Sequence, residues 1–136
     1  GLERLGWGER ISEQLKPPQW LPASTQGIIC LQCRDGDEQV LERLRPLDHP
    51  ETAIRARAER TVARKLEGSC QLPLAVFAEL EDELLVRAMV GMPDGTSVIT
   101  AQQSGHADQP EDLGLNVAEQ LLEKGAGEII SRLQLD

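Results

Sequence analysis

Between residues 54 and 121 the spacing of apolar residues changes from four to two and back to four, and this constrains the fold more than any other feature of the chain. Ile54, Ala58, Val62 and Leu66 recur every four residues, one stripe along a helix, while Arg55, Glu59, Arg60 and Arg64 lie off the stripe on a face read as solvated. Leu74, Val76, Ala78 and Leu80 then alternate, as one face of a strand does. A second strand-like run, Leu84 to Met92, follows the acidic Glu81-Asp82-Glu83, so the two runs form a hairpin. Pro93-Asp94-Gly95 is a turn in which Pro fixes φ and Gly accepts positive φ, and it leads into a third strand over Ser97 to Gln102. Leu113, Val117 and Leu121 restore the helical spacing, Gly125 stops that helix, and a last short one bears Ile129, Ile130 and Leu133. Each amphipathic element must bury its stripe. The pattern therefore predicts a small α+β domain, a three-stranded antiparallel sheet covered on one face by helices.

Upstream the pattern is different. Ile11 and Leu15 mark a short amphipathic helix over residues 9 to 16, stopped by Pro17-Pro18. Ile28 to Cys33 is nearly all apolar and ends at Arg34-Asp35-Gly36-Asp37, the pattern of a buried strand followed by a turn. Such a strand needs a layer on each side, and few flanking residues provide one, so it is expected to belong to a sheet whose other strands lie upstream of Gly1. A helix follows at Glu38 to Leu44. Asp48, three residues before Glu51, forms a capping box at the start of the long helix, and Gly68 closes that helix. The chain begins with Gly1 rather than methionine and reads as a piece of a longer protein.

A length of 136 residues suits one compact domain with a core of its own. Fourteen basic and 23 acidic residues leave a net charge of -9, which repels a phosphate backbone. The only aromatics are Trp7, Trp20 and Phe77, too few for a base-stacking platform, so nucleic acid is not an expected partner. No apolar run is long enough to cross a bilayer and no signal peptide opens the chain, so the expected location is cytoplasmic, with no membrane partner. Three cysteines give no disulfide framework, in keeping with a reducing compartment.

Cys30 and Cys33 form a C-x-x-C. Residues three apart on a strand point to opposite faces, and no second Cys/His pair completes a tetrahedral site, so they are expected to be packing cysteines and no metal site is assigned. A thiol redox pair is the alternative there. His49 and His106 stand alone at a helix start and in a loop, and are assigned surface or capping roles. Cys70 lies between a helix and a strand, where loops held by rigid elements commonly place reactive groups. On residue type alone a buried structural thiol is favoured over a reactive one.

The stretch LEGSCQLPLAVFAEL, Leu66 to Leu80, resembles the cofactor-attachment segment of the hydroxymethylbilane synthases (porphobilinogen deaminases). In that family the cysteine of an L-E-G-G-C-x-x-P run carries a dipyrromethane. The resemblance continues, in the family's order, through GLERLGW, LPASTQGIICLQCR, LDHPETAIRARAER, MVGMPDGT and LGLNVAEQLLEKGAGEII, and is nearest to bacterial members. It implies a transferase of tetrapyrrole and haem biosynthesis that condenses four porphobilinogen units into hydroxymethylbilane. The partners implied are porphobilinogen and the growing oligopyrrole. Cys70 would hold the dipyrromethane cofactor as a thioether, Arg4 would contact its acetate and propionate carboxylates, and Gln26 would lie near it. The family's catalytic aspartate belongs upstream of Gly1, so no catalytic residue is assigned in this chain, and alone it is expected to be inactive.

The resemblance divides the chain into residues 1–45, a helix and strand remnant of upstream α/β lobes like those of periplasmic binding proteins, and residues 46–136, a C-terminal cofactor-carrying α+β domain. Ser24-Thr25 stand where the family has a small residue and glycine before Gln-Gly, and Ser69 replaces a second glycine before the cysteine, substitutions that affect sites where glycine allows positive φ or close approach. The alternative is a non-catalytic folding or protein-interaction module with an unmodified thiol. The missing N-terminal lobes, or self-association of the truncated chain, would then cover the apolar run at 28 to 31.

Overall fold

In a computed structural model the described residues are 1–66 and 73–133. The two long stripes become helices and the alternating runs become strands. After two short helical pieces, α1 (Glu38–Leu44) and a 3-10 turn (Arg45–Leu47), come α2 (Pro50–Lys65), β1 (Leu74–Leu80), β2 (Leu84–Gly91), β3 (Val98–Gly105), α3 (Pro110–Glu123) and α4 (Ala126–Leu133). The strands form one antiparallel sheet in the order β1-β2-β3, so the α+β architecture is as expected. The third strand is longer than its expected end at Gln102, because Gln103, Ser104 and Gly105 continue the ladder opposite Val86, Leu85 and Leu84.

Alternation along the strands sends Val76, Ala78, Val86, Ala88, Val90 and Ala101 to one face, where they meet Ala58 and Val62 of α2 and Leu113, Val117 and Leu121 of α3. All of these are buried, and Ile129 and Ile130 of α4 complete the same core. The opposite face carries half-buried Phe77 and Met89, and there Arg87 pairs with Glu79 on the neighbouring strand. The helices α2 and α3 touch at Gly114, where a Cβ would lie 2.6 Å from the Ala58 carbonyl oxygen and 2.9 Å from Thr61 Cβ. No side chain but hydrogen fits at that crossing.

The first 37 residues depart from expectation. The helix expected over 9 to 16 is reduced to a 3-10 turn, Gly8–Arg10, preceded by another, Glu3–Leu5, and Leu15 is 61% exposed. A helix this short is marginal unless tertiary packing buries its whole stripe, and here only Ile11 is half-buried while Leu15 stays in solvent. Residues 28 to 33 form no strand, and Ile29 is 86% exposed. At the outer edge of β1 it is the segment before the apolar run that bonds, since the Val76 amide donates to the Pro22 carbonyl (3.0 Å).

Asp48 does not cap α2. Pro50, with φ set by its ring, takes the first helical position, so the cap falls on His49, whose Nδ1 accepts from the Thr52 amide at 3.3 Å, while Asp48 is extended. Asp37 caps α1 by accepting from the Val40 amide. The expected stop at Gly68 lies outside the described residues. The turn at Pro93 to Gly95 closes with a 2.9 Å bond from the Gly95 amide to the Met92 carbonyl, and Gly95 has φ of 75°.

Candidate functional site

The residues that flank the junction between α2 and β1 are held in the fold. Leu66, at its start, is 2% exposed within the core, and at its far end the Pro73 carbonyl accepts from the Gly91 amide of β2 (3.2 Å). Cys70 belongs to this junction, and together with Gly68 and Ser69 it lies outside the described residues.

Gln26 sits in a tight turn laid along β1. Its amide donates to the Ala23 carbonyl (3.0 Å) and its side-chain Oε1 accepts from the Ala23 amide (3.2 Å), so the turn is closed twice on itself. Within it Thr25 has φ of 57° and Gly27 of 84°. A β-branched residue is strained at such a φ, which gives physical content to the expected glycine at that position. Ser24 Oγ is buried in the same turn with no hydrogen-bond partner among the described residues. Arg4 stands on the 3-10 turn Glu3–Leu5 with its side chain exposed, and no hydrogen bond or ion pair joins it to Gln26 among the described residues.

The residue that organises this region is Glu59, which sequence reasoning had placed on a solvated face. Only 3% exposed, it accepts from the Thr25 amide at Oε2 (2.6 Å) and from the Ala78 amide of β1 at Oε1 (2.8 Å). Burial raises its pKa above the ordinary carboxylate range, against the two amide bonds and the Arg55 guanidinium, which favour the charged form. Glu59 adjoins the apolar stripe of α2, but nothing in the spacing distinguishes it from the exposed Arg60 beside it, since the groups it binds come from segments far away in sequence.

Cys30 is exposed and Cys33 half-buried, so neither is the core-packing cysteine expected. Both border an open groove of about 520 Å³ between residues 28 to 33, α1 and α2, whose apolar lining includes Ile28, Leu41, Leu44 and Ala56. The reason is the missing strand, because an irregular backbone need not send residues three apart to opposite sides. His49 is the α2 cap and His106 an exposed loop residue. No group of three or more His, Cys, Asp or Glu able to hold a metal occurs among the described residues, and none of their helices is long and apolar enough to cross a membrane.

The family model described as "Porphobilinogen deaminase, C-terminal domain" matches residues 53–123, more than half of the chain. The chain belongs to the porphobilinogen deaminase family. A second porphobilinogen deaminase model, described as the dipyromethane cofactor binding domain, matches residues 1–42. A porphobilinogen deaminase of Desulforudis audaxviator is 44% identical over 135 residues, and one of Gloeobacter violaceus 45% identical over 135 residues. Each alignment takes in 98% of this chain, but 44% and 41% of the respective relative, so the chain spans less than half the length of these porphobilinogen deaminases.

Arg4 and Gln26 are both exposed and each carries donors able to pair with a carboxylate, but among the described residues no hydrogen bond or ion pair brings Arg4 to the turn that holds Gln26 and the buried Ser24 hydroxyl.

Proposed function

We propose that this chain is the C-terminal part of a hydroxymethylbilane synthase, a cytoplasmic enzyme, with its dipyrromethane cofactor held as a thioether by Cys70. The observation that carries this reading is the identity of 44–45% to porphobilinogen deaminases along 98% of the chain, together with the LEGSCQLP run that matches the attachment segment. Bound dipyrromethane supplies the primer on which porphobilinogen units are joined. The protein's own residues hold and orient it. Cys70 would supply the nucleophilic sulfur that adds to an electrophilic methylene-pyrrole carbon, and a thioether resists hydrolysis between turnovers. Tethering makes each coupling a reaction within one complex and raises the effective concentration of the growing end. Arg4 binds acetate and propionate carboxylates through its planar fork, and Gln26 lies beside the primer.

In the same reading, residues 1–45 are the remnant of the upstream lobes and residues 46–136 the cofactor-carrying domain. The interval between the two matched stretches, 1–42 and 53–123, contains that boundary, which supports a division there, although the model described as the cofactor binding domain is the one that matches 1–42. Ile29, Leu31 and Trp20, all more than half exposed, belong to the surface that the upstream lobes cover, and through which the chain alone would self-associate.

The test is substitution of the anchor in the protein extended upstream to its relatives' length. Cys70→Ala should abolish conversion of porphobilinogen to hydroxymethylbilane while the circular dichroism spectrum is kept. Undiminished synthesis by that variant would refute the reading.

A further inference from the structure

Three separate parts of the chain converge on the Glu59 side chain. Glu59 belongs to α2, the helix that enters the Cys70 junction, and Oε1 accepts from Ala78 of β1, the strand that leaves it. Oε2 accepts from Thr25, the residue next to Gln26 in the turn. The turn has a second hold on the same strand edge, because the Val76 amide donates to the Pro22 carbonyl at 3.0 Å. Val76 and Ala78 are two residues apart, so both amides point away from β2, and the turn is fixed to β1 at successive outward positions, once directly and once through Glu59. Remove the carboxylate and the Thr25 and Ala78 amides lose their common acceptor, leaving a turn that holds a strained Thr25 with one fastening to the sheet.

We infer that Glu59 is a positioning residue of the cofactor site: by joining α2, β1 and the Ser24–Gly27 turn, it holds the turn that carries Gln26 against β1. The inference rests on the reading above, in which Cys70 and Gln26 serve the cofactor. Glu59 touches neither the primer nor substrate in this account, and acts through the Thr25 amide.

Two measurements test it. In the chain itself, hydrogen exchange followed by mass spectrometry should show the 22–27 peptide losing protection in Glu59→Ala, with Glu59→Gln intermediate because the two amides bond to different oxygens and glutamine replaces one of these with a donating NH2 group. In the protein extended upstream, Glu59→Ala should lower turnover on the order of 10- to 100-fold, as expected when a contact is misplaced by about an ångström. Adding Gln26→Ala to Glu59→Ala should then cost less than about twofold more, although Gln26→Ala alone is costly, because Glu59 acts through the turn that carries Gln26. A merely structural carboxylate would give losses that multiply. Unchanged exchange at 22–27 in both Glu59 variants, or multiplicative losses, overturns the inference. If the unsubstituted protein carries no adduct on Cys70, the underlying reading fails instead, whereas an adduct with unchanged exchange at 22–27 tells against the Glu59 role alone.

Discussion

The Thr25 amide donates to Glu59 Oε2 across 2.6 Å and 34 residues of sequence, and through this bond a segment without regular structure is attached to α2. Because the other carboxylate oxygen accepts from Ala78, two backbone donors offset part of the desolvation that disfavours the charged form of this buried carboxyl. Replacing Glu59 with alanine leaves both donors unpaired at a site where the side chain is almost fully enclosed. The expected loss is about 2 to 4 kcal/mol, read from denaturant unfolding of the variant beside the unsubstituted chain.

The pH dependence of that contribution has a definite sign. Glu59 has a folded-state pKa raised above its unfolded value, chiefly by desolvation, so the folded state holds more protons than the unfolded state between the two values. Stability from this group is therefore greatest below the unfolded pKa and declines as pH rises through the folded one. Other carboxylates are shared by the unsubstituted chain and Glu59→Gln and cancel in the difference. The stability advantage of the unsubstituted chain over Glu59→Gln should accordingly grow as pH falls through the Glu59 titration, as shown by paired melting curves between about pH 7 and pH 4. A difference that shrank on acidification would contradict the assignment.

Thr25 occupies the left-handed region, where an L residue is strained by about 1 to 2 kcal/mol. Glycine relieves that strain but adds roughly 0.5 to 1 kcal/mol of unfolded-state freedom. The net expectation for Thr25→Gly is a gain of about 0.5 to 1 kcal/mol, measured as a higher urea midpoint with an unchanged slope.

Gly114 gives the opposite outcome. Alanine is the better helix former by about 1 kcal/mol. Its methyl group, however, would sit 2.6 Å from the Ala58 carbonyl oxygen, a backbone atom that cannot rotate away. Forcing α2 and α3 apart costs about 1 to 3 kcal/mol, so thermal unfolding of Gly114→Ala should show a net loss of stability despite the gain in propensity.

Where the elements bury each other, they are readable from spacing: the Ile54 to Leu66 stripe, the Leu74 to Leu80 alternation and the Leu113 to Leu121 stripe all meet in one core. Of the stripe at Ile11 and Leu15 the second residue is left exposed, and the Ile28 to Cys33 run borders the groove beside α1 and α2 with Ile29 in solvent, so the same patterns gave no regular element there. A one-residue shift separated Asp48 from the true cap His49, because Pro50 decides where the helix begins. Cys70, Arg4 and Gln26 came from resemblance rather than periodicity, and Glu59 from neither. Its role depends on Thr25 and Ala78, groups brought to it only by folding.

The most direct measurement is peptide mass spectrometry on the protein extended upstream to its relatives' length and purified from cells that make porphobilinogen. The account predicts a dipyrromethane adduct localised to the peptide that contains Cys70, with Cys30 and Cys33 unmodified. A free Cys70 thiol in protein that nonetheless converts porphobilinogen to hydroxymethylbilane would contradict it.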